Sequence, residues 1–115
     1  MGWEDGGVSE LDAEDAKIVV LARAARARTR AAEGAAVRDT DGRTYVGTTV
    51  ALPSLTLSAL QAAVVAAVGS GATGLEAAAL VTDNGSADEA GRAAVADLTP
   101  DAPIIVAGPD GTPRG

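Results

Sequence analysis

The sequence predicts one α/β domain in which helices cover both faces of a small mixed sheet. Three observations predict it: helical periodicity in three segments, an Asp-Gly turn between two short strand-like segments, and two apolar runs, 75–82 and 104–107, that flank a helix. A helix between two buried strands implies a right-handed crossover and a parallel strand pair. We therefore expect a three-layer α-β-α domain over residues 9–107, with three helices and about four strands that include an antiparallel hairpin and a parallel pair.

The first helix is predicted over residues 9–32 and follows an acidic, glycine-rich segment, 1–8, that we expect to be flexible. Ser9 is the predicted N-cap, and Asp12 takes the capping-box position. Three- and four-residue spacing predicts an apolar stripe that faces the core. Its members are Leu11, Ile18, Leu21 and Ala25.

An antiparallel hairpin is predicted next, with strands at residues 35–38 and 44–50. The segment between them, 39–43, contains the Asp-Gly pair that is typical of a tight hairpin turn. Pro53 is expected to end the second strand, because proline has no N–H to donate to a strand ladder.

The second helix is expected to start from a cap at Ser54 or Thr56 and to run to about Val68. It is apolar almost all round, which is typical of a central helix. A third helix is predicted to begin at Ser86, with Glu89 completing a capping box, and to end near residue 98. The residues that follow the last strand, 108–115, are rich in proline and glycine, and we expect a flexible tail.

The composition excludes several kinds of chemistry. The 115 residues include no cysteine and no histidine, which excludes disulfides, thiol catalysis and zinc held by thiolates or imidazoles. The net charge of −7 argues against nucleic acid and membranes as partners, and four arginines between Arg23 and Arg30 are interpreted as a solvated helix face. No signal peptide or membrane span is apparent, so a cytoplasmic location is expected. The alanine-rich core favours a homo-oligomer.

Two stretches resemble the small zinc-dependent cytidine deaminases. Residues 34–43, GAAVRDTDGR, are similar to the family's first hairpin, GAALRTADGR, and a glycine, Gly47, follows as in the family. Residues 100–107, PDAPIIVA, are similar to the family's strand PDAPVILA. The order of the helices also matches, so the resemblance covers residues 11–107 and implies the family's fold. The homo-oligomer that the alanine-rich core favours would be a dimer or a tetramer.

The family's chemistry needs three cysteines that hold zinc at two helix N-termini and a glutamate that moves the proton. The resemblance places Ser58, Asp88 and Gly91 at the zinc-ligand positions and Leu60 at the position of the glutamate. A serine hydroxyl is not a useful zinc ligand at neutral pH, and leucine has no proton to transfer. The resemblance therefore implies a degenerate member with no zinc, no other cofactor and no catalytic residue.

A residual pocket is also implied by the resemblance. Thr49 and Ala51 lie where the family has the Asn-x-Glu that holds ribose, and Arg92 follows the last ligand position, either as a remnant of the zinc surroundings or as a solvent-facing arginine. The first functional hypothesis is an inactive oligomeric scaffold or protein-interaction module with an unidentified protein partner. The second is a nucleoside- or nucleotide-binding sensor. A third, an altered enzyme, requires Asp88, Glu89 and Arg92 to converge on one cavity.

Overall fold

Nine elements of secondary structure follow one another along residues 11–114, the part of the chain that the computed structural model describes. The helices are α1 (Ala13–Thr29), α2 (Ala59–Gly69) and α3 (Glu89–Leu98). The strands are β1 (Gly34–Asp39), β2 (Thr44–Thr48), β3 (Val50–Leu52), β4 (Leu55–Leu57), β5 (Leu75–Val81) and β6 (Ile104–Ala107). No helix within these residues is long and apolar enough to cross a bilayer.

The central layer is a four-stranded sheet with the order β2-β1-β5-β6. β1 is antiparallel to β2 and to β5, whereas β5 is parallel to β6. α3 connects the two parallel strands, as predicted for a helix that lies between two buried strands in the sequence. The predicted mixed sheet, with one antiparallel hairpin and one parallel pair, is confirmed.

Helices cover the two faces of this sheet. α1 packs on one face through a buried cluster that includes Ile18, Ala22 and Ala36. α2 and α3 pack on the other face, around Leu60, Leu80 and neighbouring residues. The three layers confirm the predicted α-β-α architecture.

Two glycines allow the helices to approach the sheet closely. A Cβ added to Gly34 would clash with the carbonyl oxygen of Ala22 in α1, and a Cβ added to Gly47 would clash with the backbone of Ala63 in α2. Many of the other buried residues between the helices and the sheet are alanines, whose small side chains also allow close packing.

Asp39 organises the predicted hairpin turn. This residue is only 3% exposed, and its carboxylate accepts hydrogen bonds from the backbone N–H groups of Asp41 and Arg43 and from the hydroxyl of Tyr45, each at 2.9 Å. Burial by itself raises the pKa of Asp39, but these hydrogen bonds outweigh burial, so the pKa lies below its usual value. A lowered pKa means that the ionised carboxylate stabilises the fold at neutral pH, and that this contribution is lost as the pH falls through the lowered pKa.

The boundaries predicted for the first helix were wrong. α1 begins at Ala13, because Asp12 is the N-cap and its carboxylate accepts the N–H of Asp15 at 2.8 Å. Ser9 lies outside the described residues. The helix ends at Thr29 rather than 32, because the next residue, Arg30, adopts the left-handed conformation with φ of 57°. The buried stripe consists of Ile18, Val19, Ala22 and Ala25, whereas Leu11 and Leu21 are only partly buried.

Residues 50–57 form a small hairpin that the sequence analysis missed. β3 and β4 are antiparallel, and Leu52 pairs with Leu55, so Pro53 and Ser54 occupy the turn. Proline is tolerated in such a turn, where its missing N–H is not needed. The predicted caps at Ser54 and Thr56 were therefore wrong, and α2 begins after Ser58 instead.

The start predicted for the third helix was also wrong. The predicted cap was Ser86, but the N-cap is Asp88, and the helix begins at Glu89. The prediction failed because the carboxylate of Asp88 accepts the N–H of Gly91 at 2.7 Å and so caps the helix two residues later.

Residues 108–114 turn back along β6. Ala107 and Pro113 form an antiparallel bridge, and the N–H of Arg114 donates to the carbonyl oxygen of Val106 at 2.7 Å. Gly111, with φ of 84°, lies in the tip of this turn. This turn was not predicted from the sequence. Flexibility of 108–115 stays a prediction, and segment 1–8 lies outside the described residues.

Candidate functional site

A polar cleft of about 390 Å³ opens where the N-termini of α2 and α3 meet the carboxyl end of β5. Ligand sites in α/β folds commonly lie at the carboxyl ends of parallel strands. The cleft is lined by Arg26, Ala32, Glu33, Thr49, Ser58, Thr82, Asp83, Asn84 and Asp88. Three of these residues are carboxylates and one is a guanidinium, so the lining is acidic.

Glu33 is held in the cleft by the register between β1 and β5. Gly34 pairs with Val81, so the residues just outside this pair, Glu33 and Thr82, lie together. The hydroxyl of the buried Thr82 donates to Oε2 of Glu33 at 2.6 Å, and Nδ2 of Asn84 lies 3.5 Å from the same oxygen. These donors fix the carboxylate in the wall of the cleft.

Thr49 also contacts Glu33, through the backbone. The N–H of Glu33 donates to Oγ1 of Thr49 at 3.0 Å, and the N–H of Thr49 donates to the carbonyl oxygen of Glu33 at 3.2 Å. Of the three residues predicted for a residual pocket, Thr49 therefore lines the cleft. Ala51 is exposed in β3 and is not among the lining residues.

Arg26 closes one side of the cleft. Its Nε donates to the carbonyl oxygen of Ala32 at 3.0 Å, and its Nη2 lies 3.2 Å from Oδ2 of Asp83. The guanidinium of Arg26 is thus held by the carbonyl oxygen of Ala32 and by the carboxylate of Asp83, whereas the arginines of α1 were predicted to form a solvated face.

Ser58 and Asp88, two of the predicted ligand positions, are the N-caps of the two helices. Oγ of Ser58 accepts the N–H of Gln61 at 3.1 Å, and Oε1 of Gln61 accepts the N–H of Ser58 at 3.0 Å, which completes a capping box. Oδ2 of Asp88 accepts the N–H of Gly91 at 2.7 Å. Both side chains therefore satisfy helix N–H groups that would otherwise lack a partner.

Leu60 fills the space between the two helix starts. Its side chain is fully buried, and a Cβ built on Gly91 would lie 2.6 Å from Cβ and 2.8 Å from Cδ1 of Leu60. A side chain at position 91 and the leucine therefore compete for one volume. Oδ1 of Asp88 lies 2.9 Å from the same built Cβ, is buried, and has no hydrogen-bond partner among residues 11–114.

The donors at this place do not fit zinc. Gly91 has no side chain, the oxygen of Ser58 is a neutral hydroxyl used as a cap, and Asp88 alone offers a carboxylate. Zinc sites in proteins need three or four protein ligands, with a water in the remaining position when there are three. Within residues 11–114, no three His, Cys, Asp or Glu side chains are placed to share a metal ion.

Arg92 lies apart from the polar cleft. It lines a second cleft of about 330 Å³ between α3 and β6, together with apolar residues that include Val95 and Ile104. Its Nε donates weakly to the carbonyl oxygen of Ala87 at 3.4 Å. Asp88 lines the polar cleft and Glu89 is exposed, so the structure does not support a joint catalytic role for the three residues.

A family model described as "Cytidine deaminase-like" matches residues 11–111. The chain belongs to the cytidine deaminase-like family. This confirms the resemblance seen in the first hairpin and in the last strand. The degenerate status of the chain within the cytidine deaminase-like family stays a prediction.

Solved structures agree with the cytidine deaminase-like assignment. The cytidine deaminase from Mycobacterium tuberculosis is 29% identical with a TM-score of 0.67, and the match covers 91% of this chain and 90% of that chain. The cytidine deaminase from Burkholderia pseudomallei shares the fold with a TM-score of 0.75 at 23% identity, covering 85% of this chain and 87% of that chain. The cytidine deaminase from Mycobacterium leprae shares the fold with a TM-score of 0.65 at 24% identity, and the match covers 83% of this chain and 87% of that chain. A search of curated proteins found no match.

Most residues that line the cleft of this cytidine deaminase-like chain were not predicted from the sequence. Glu33 and Thr82 are 49 residues apart, and only the strand register brings them together. One signal was available, since Asp83 and Asn84 follow directly after a buried strand and precede a helix, the arrangement that places polar residues at a sheet's carboxyl edge.

Proposed function

We propose that this cytidine deaminase-like protein does not deaminate nucleosides and functions as a self-associating scaffold. One observation carries the first part of the proposal. Leu60 occupies the space between the starts of α2 and α3, where the resemblance expects a proton-transferring glutamate beside three zinc-bound thiolates.

The chemistry of the remaining groups supports this proposal. Zinc lowers the pKa of a bound water to about 7, which supplies hydroxide at neutral pH. The donors at Ser58, Asp88 and Gly91 do not form such a site, and the whole chain has neither cysteine nor histidine to provide one elsewhere. Leu60 also lacks a group that could relay a proton.

The purified full chain is expected to contain no stoichiometric zinc and to release no ammonia from cytidine or deoxycytidine, even with added zinc. Zinc is measured by plasma mass spectrometry and ammonia by a coupled assay, with the cytidine deaminase from Mycobacterium tuberculosis as the positive control. Stoichiometric zinc, or ammonia release that depends on cytidine, would contradict the proposal.

The outer face of α2 supports self-association. This helix contains no charged residue, and two of its valines, Val65 and Val68, are 57% and 51% exposed. The chain carries a net charge of −7, so two copies repel each other through most of their surfaces. An uncharged apolar helix face is the place where two such copies associate with least electrostatic cost.

The double substitution Val65→Asp/Val68→Asp is expected to raise the dissociation constant of the homo-oligomer by roughly 100-fold or more, because charges would enter an apolar contact. Light scattering coupled to size exclusion measures the mass over a range of concentrations. Val20→Asp, at a 63% exposed valine of α1, is the matched control and should leave the mass unchanged. A wild-type chain that stays monomeric at high concentration, or a double variant that associates like wild type, would refute the scaffold.

The open polar cleft favours a second candidate function, a nucleoside- or nucleotide-binding sensor. Glu33 is fixed in its wall by Thr82, and hydrogen-bonding groups surround the opening. A ligand at 100 times its dissociation constant stabilises a protein by about 2.7 kcal/mol, which shifts the Tm of a small domain by on the order of 10 °C. Thermal shifts with a panel of nucleosides and nucleotides test this function, and Glu33→Gln is expected to diminish any shift. A panel without a single shift rejects the sensor.

A further inference from the structure

The β3–β4 hairpin has one apolar face, and the outer half of this face is exposed. Its two strands form a sheet of their own, outside the four-stranded central sheet. Cross-strand partners lie on the same face, so the pairs Val50–Leu57 and Leu52–Leu55 share one face of the hairpin. The first pair, at the base, is partly buried, whereas Leu52 and Leu55 near the tip are 56% and 50% exposed. An isolated two-stranded hairpin is only marginally stable in water, so a second surface that covers this face would stabilise it.

The hairpin and α2 belong to one uncharged part of the chain. Residues 44–75, which include β2, the hairpin and α2, contain no charged residue, although 22% of the chain is charged. Charged residues are depleted in the cores of protein interfaces. Two copies with a net charge of −7 repel each other least where their surfaces are uncharged. A second copy of the chain is therefore the partner that this part of the surface fits.

The outer face of α2 is too small to form a stable interface by itself. The helix has 11 residues, so it is about 16 Å long and about 10 Å wide, whereas a stable interface buries about 800 Å² on each partner. The hairpin adds apolar surface directly beside the helix, because β4 ends at Leu57 and the next residue, Ser58, is the N-cap of α2. The exposed face of the hairpin therefore extends the surface of α2.

The positions of the hairpin and of the exposed valines along α2 determine how two copies fit together. The hairpin precedes the N-terminal end of the helix, whereas Val68 lies nine residues after Ala59, about 14 Å along the axis. Val65 and Val68 are more than half exposed, so the hairpin of the same copy does not cover them. If two α2 helices pack antiparallel about a two-fold axis, the N-terminal end of each helix lies beside the C-terminal half of the other. The hairpin of each copy then lies beside Val68 of the other copy.

We propose that, in the self-association on which this inference rests, each copy packs its β3–β4 hairpin on α2 of the second copy. Leu55 contacts Val68 of the second copy, because β4 is the strand of the hairpin that contacts α2 and is therefore closer to the second helix. Leu52 lies on the outer strand, at the rim of the contact. The interface is two-fold symmetric, so the contact between hairpin and helix occurs twice.

Leu55→Asp is expected to raise the dissociation constant of the homo-oligomer by roughly 10-fold or more, because a charge would enter an apolar contact. Light scattering coupled to size exclusion measures the mass over a range of concentrations. Thr56→Asp is the matched control, since Thr56 is exposed on the opposite face of the same strand, and it should leave the mass unchanged. Leu55 is half exposed, so Leu55→Asp should keep the wild-type circular dichroism, and Leu55→Lys provides a second variant with the opposite charge.

Disulfide cross-linking tests the contact without a disruptive charge, because the chain contains no cysteine of its own. A Leu55→Cys protein is mixed with a Val68→Cys protein that carries a tag and so differs in mass. Mild oxidation is expected to give the mixed dimer as the main product on a non-reducing gel. When Thr56→Cys replaces Leu55→Cys, the mixed dimer should be much less abundant.

The outcomes separate the role of the hairpin from self-association itself. A wild-type chain that stays monomeric at high concentration overturns both. The role of the hairpin alone is overturned if Val65→Asp/Val68→Asp dissociates the oligomer while folded Leu55→Asp and Leu55→Lys associate like wild type. It is also overturned if Leu55→Cys cross-links to Val68→Cys no better than Thr56→Cys does.

Discussion

Leu60→Ala is expected to lower the free energy of unfolding by about 2 to 5 kcal/mol, the range for a buried leucine whose cavity does not collapse. Leu60 is fully buried and packs against the start of α3, so its loss leaves a void between α2 and α3. Urea denaturation followed by circular dichroism measures the change. Leu52→Ala is the matched control, because Leu52 is 56% exposed in the β3–β4 hairpin and should contribute within about 0.5 kcal/mol.

Gly91→Ala tests whether Leu60 and Gly91 share one volume. The added methyl group would overlap Leu60, and overpacking of this kind costs about 1 to 3 kcal/mol. In the Leu60→Ala background the same methyl group enters the vacated space, so its cost should fall or become a gain. The double-mutant cycle is expected to show a coupling of about 0.5 to 3 kcal/mol. Additive effects of the two substitutions would show that the side chain of Leu60 does not fill this space.

The second large effect is expected from introducing the zinc donors that the resemblance implies. The fourfold variant Ser58→Cys/Leu60→Glu/Asp88→Cys/Gly91→Cys should bind about one zinc ion per chain, because three thiolates and a water complete a four-coordinate site. Ser58 and Asp88 line the same cleft, and a Cβ at position 91 points to the place that Leu60 fills. Zinc is measured after dialysis, and cobalt substitution reports thiolate ligation through its absorption spectrum.

The matched control for zinc binding is Ser58→Cys/Asp88→Cys, which retains Leu60 and Gly91. It offers only two thiolates beside a filled space and should lose zinc on dialysis. A fourfold variant that folds, as judged by circular dichroism, yet retains no more zinc than the control would show that positions 58, 88 and 91 do not correspond to the ligands of the family.

Local sequence signals were sufficient for most of the fold. The Asp-Gly turn predicted the β1–β2 hairpin, and the apolar run at 75–82 predicted a buried strand, β5. Boundaries were less predictable where several residues could cap the same helix, as with Ser86 and Asp88 before α3. The β3–β4 hairpin was missed because three-residue strands carry too short a pattern to distinguish from a loop.

The site depended on contacts between residues far apart in the sequence. The pair Glu33 and Thr82 follows from the register of β1 against β5, which composition and periodicity do not specify. The contact of Leu60 with Gly91 depends on how closely α2 approaches α3. Ser58, Leu60, Asp88 and Gly91 are assigned to the ligand and glutamate positions only through the resemblance.

The fit of Leu60 against Gly91 has an evolutionary consequence. If Gly91 alone changes to cysteine, the new side chain clashes with Leu60. If Leu60 alone changes to glutamate, a carboxylate is buried without a zinc ion beside it. A first step at either of these two positions therefore passes through a less stable intermediate. The effects of substitutions at the two positions therefore depend on each other, which makes a metal-binding sequence harder to reach by successive single substitutions than the number of positions suggests.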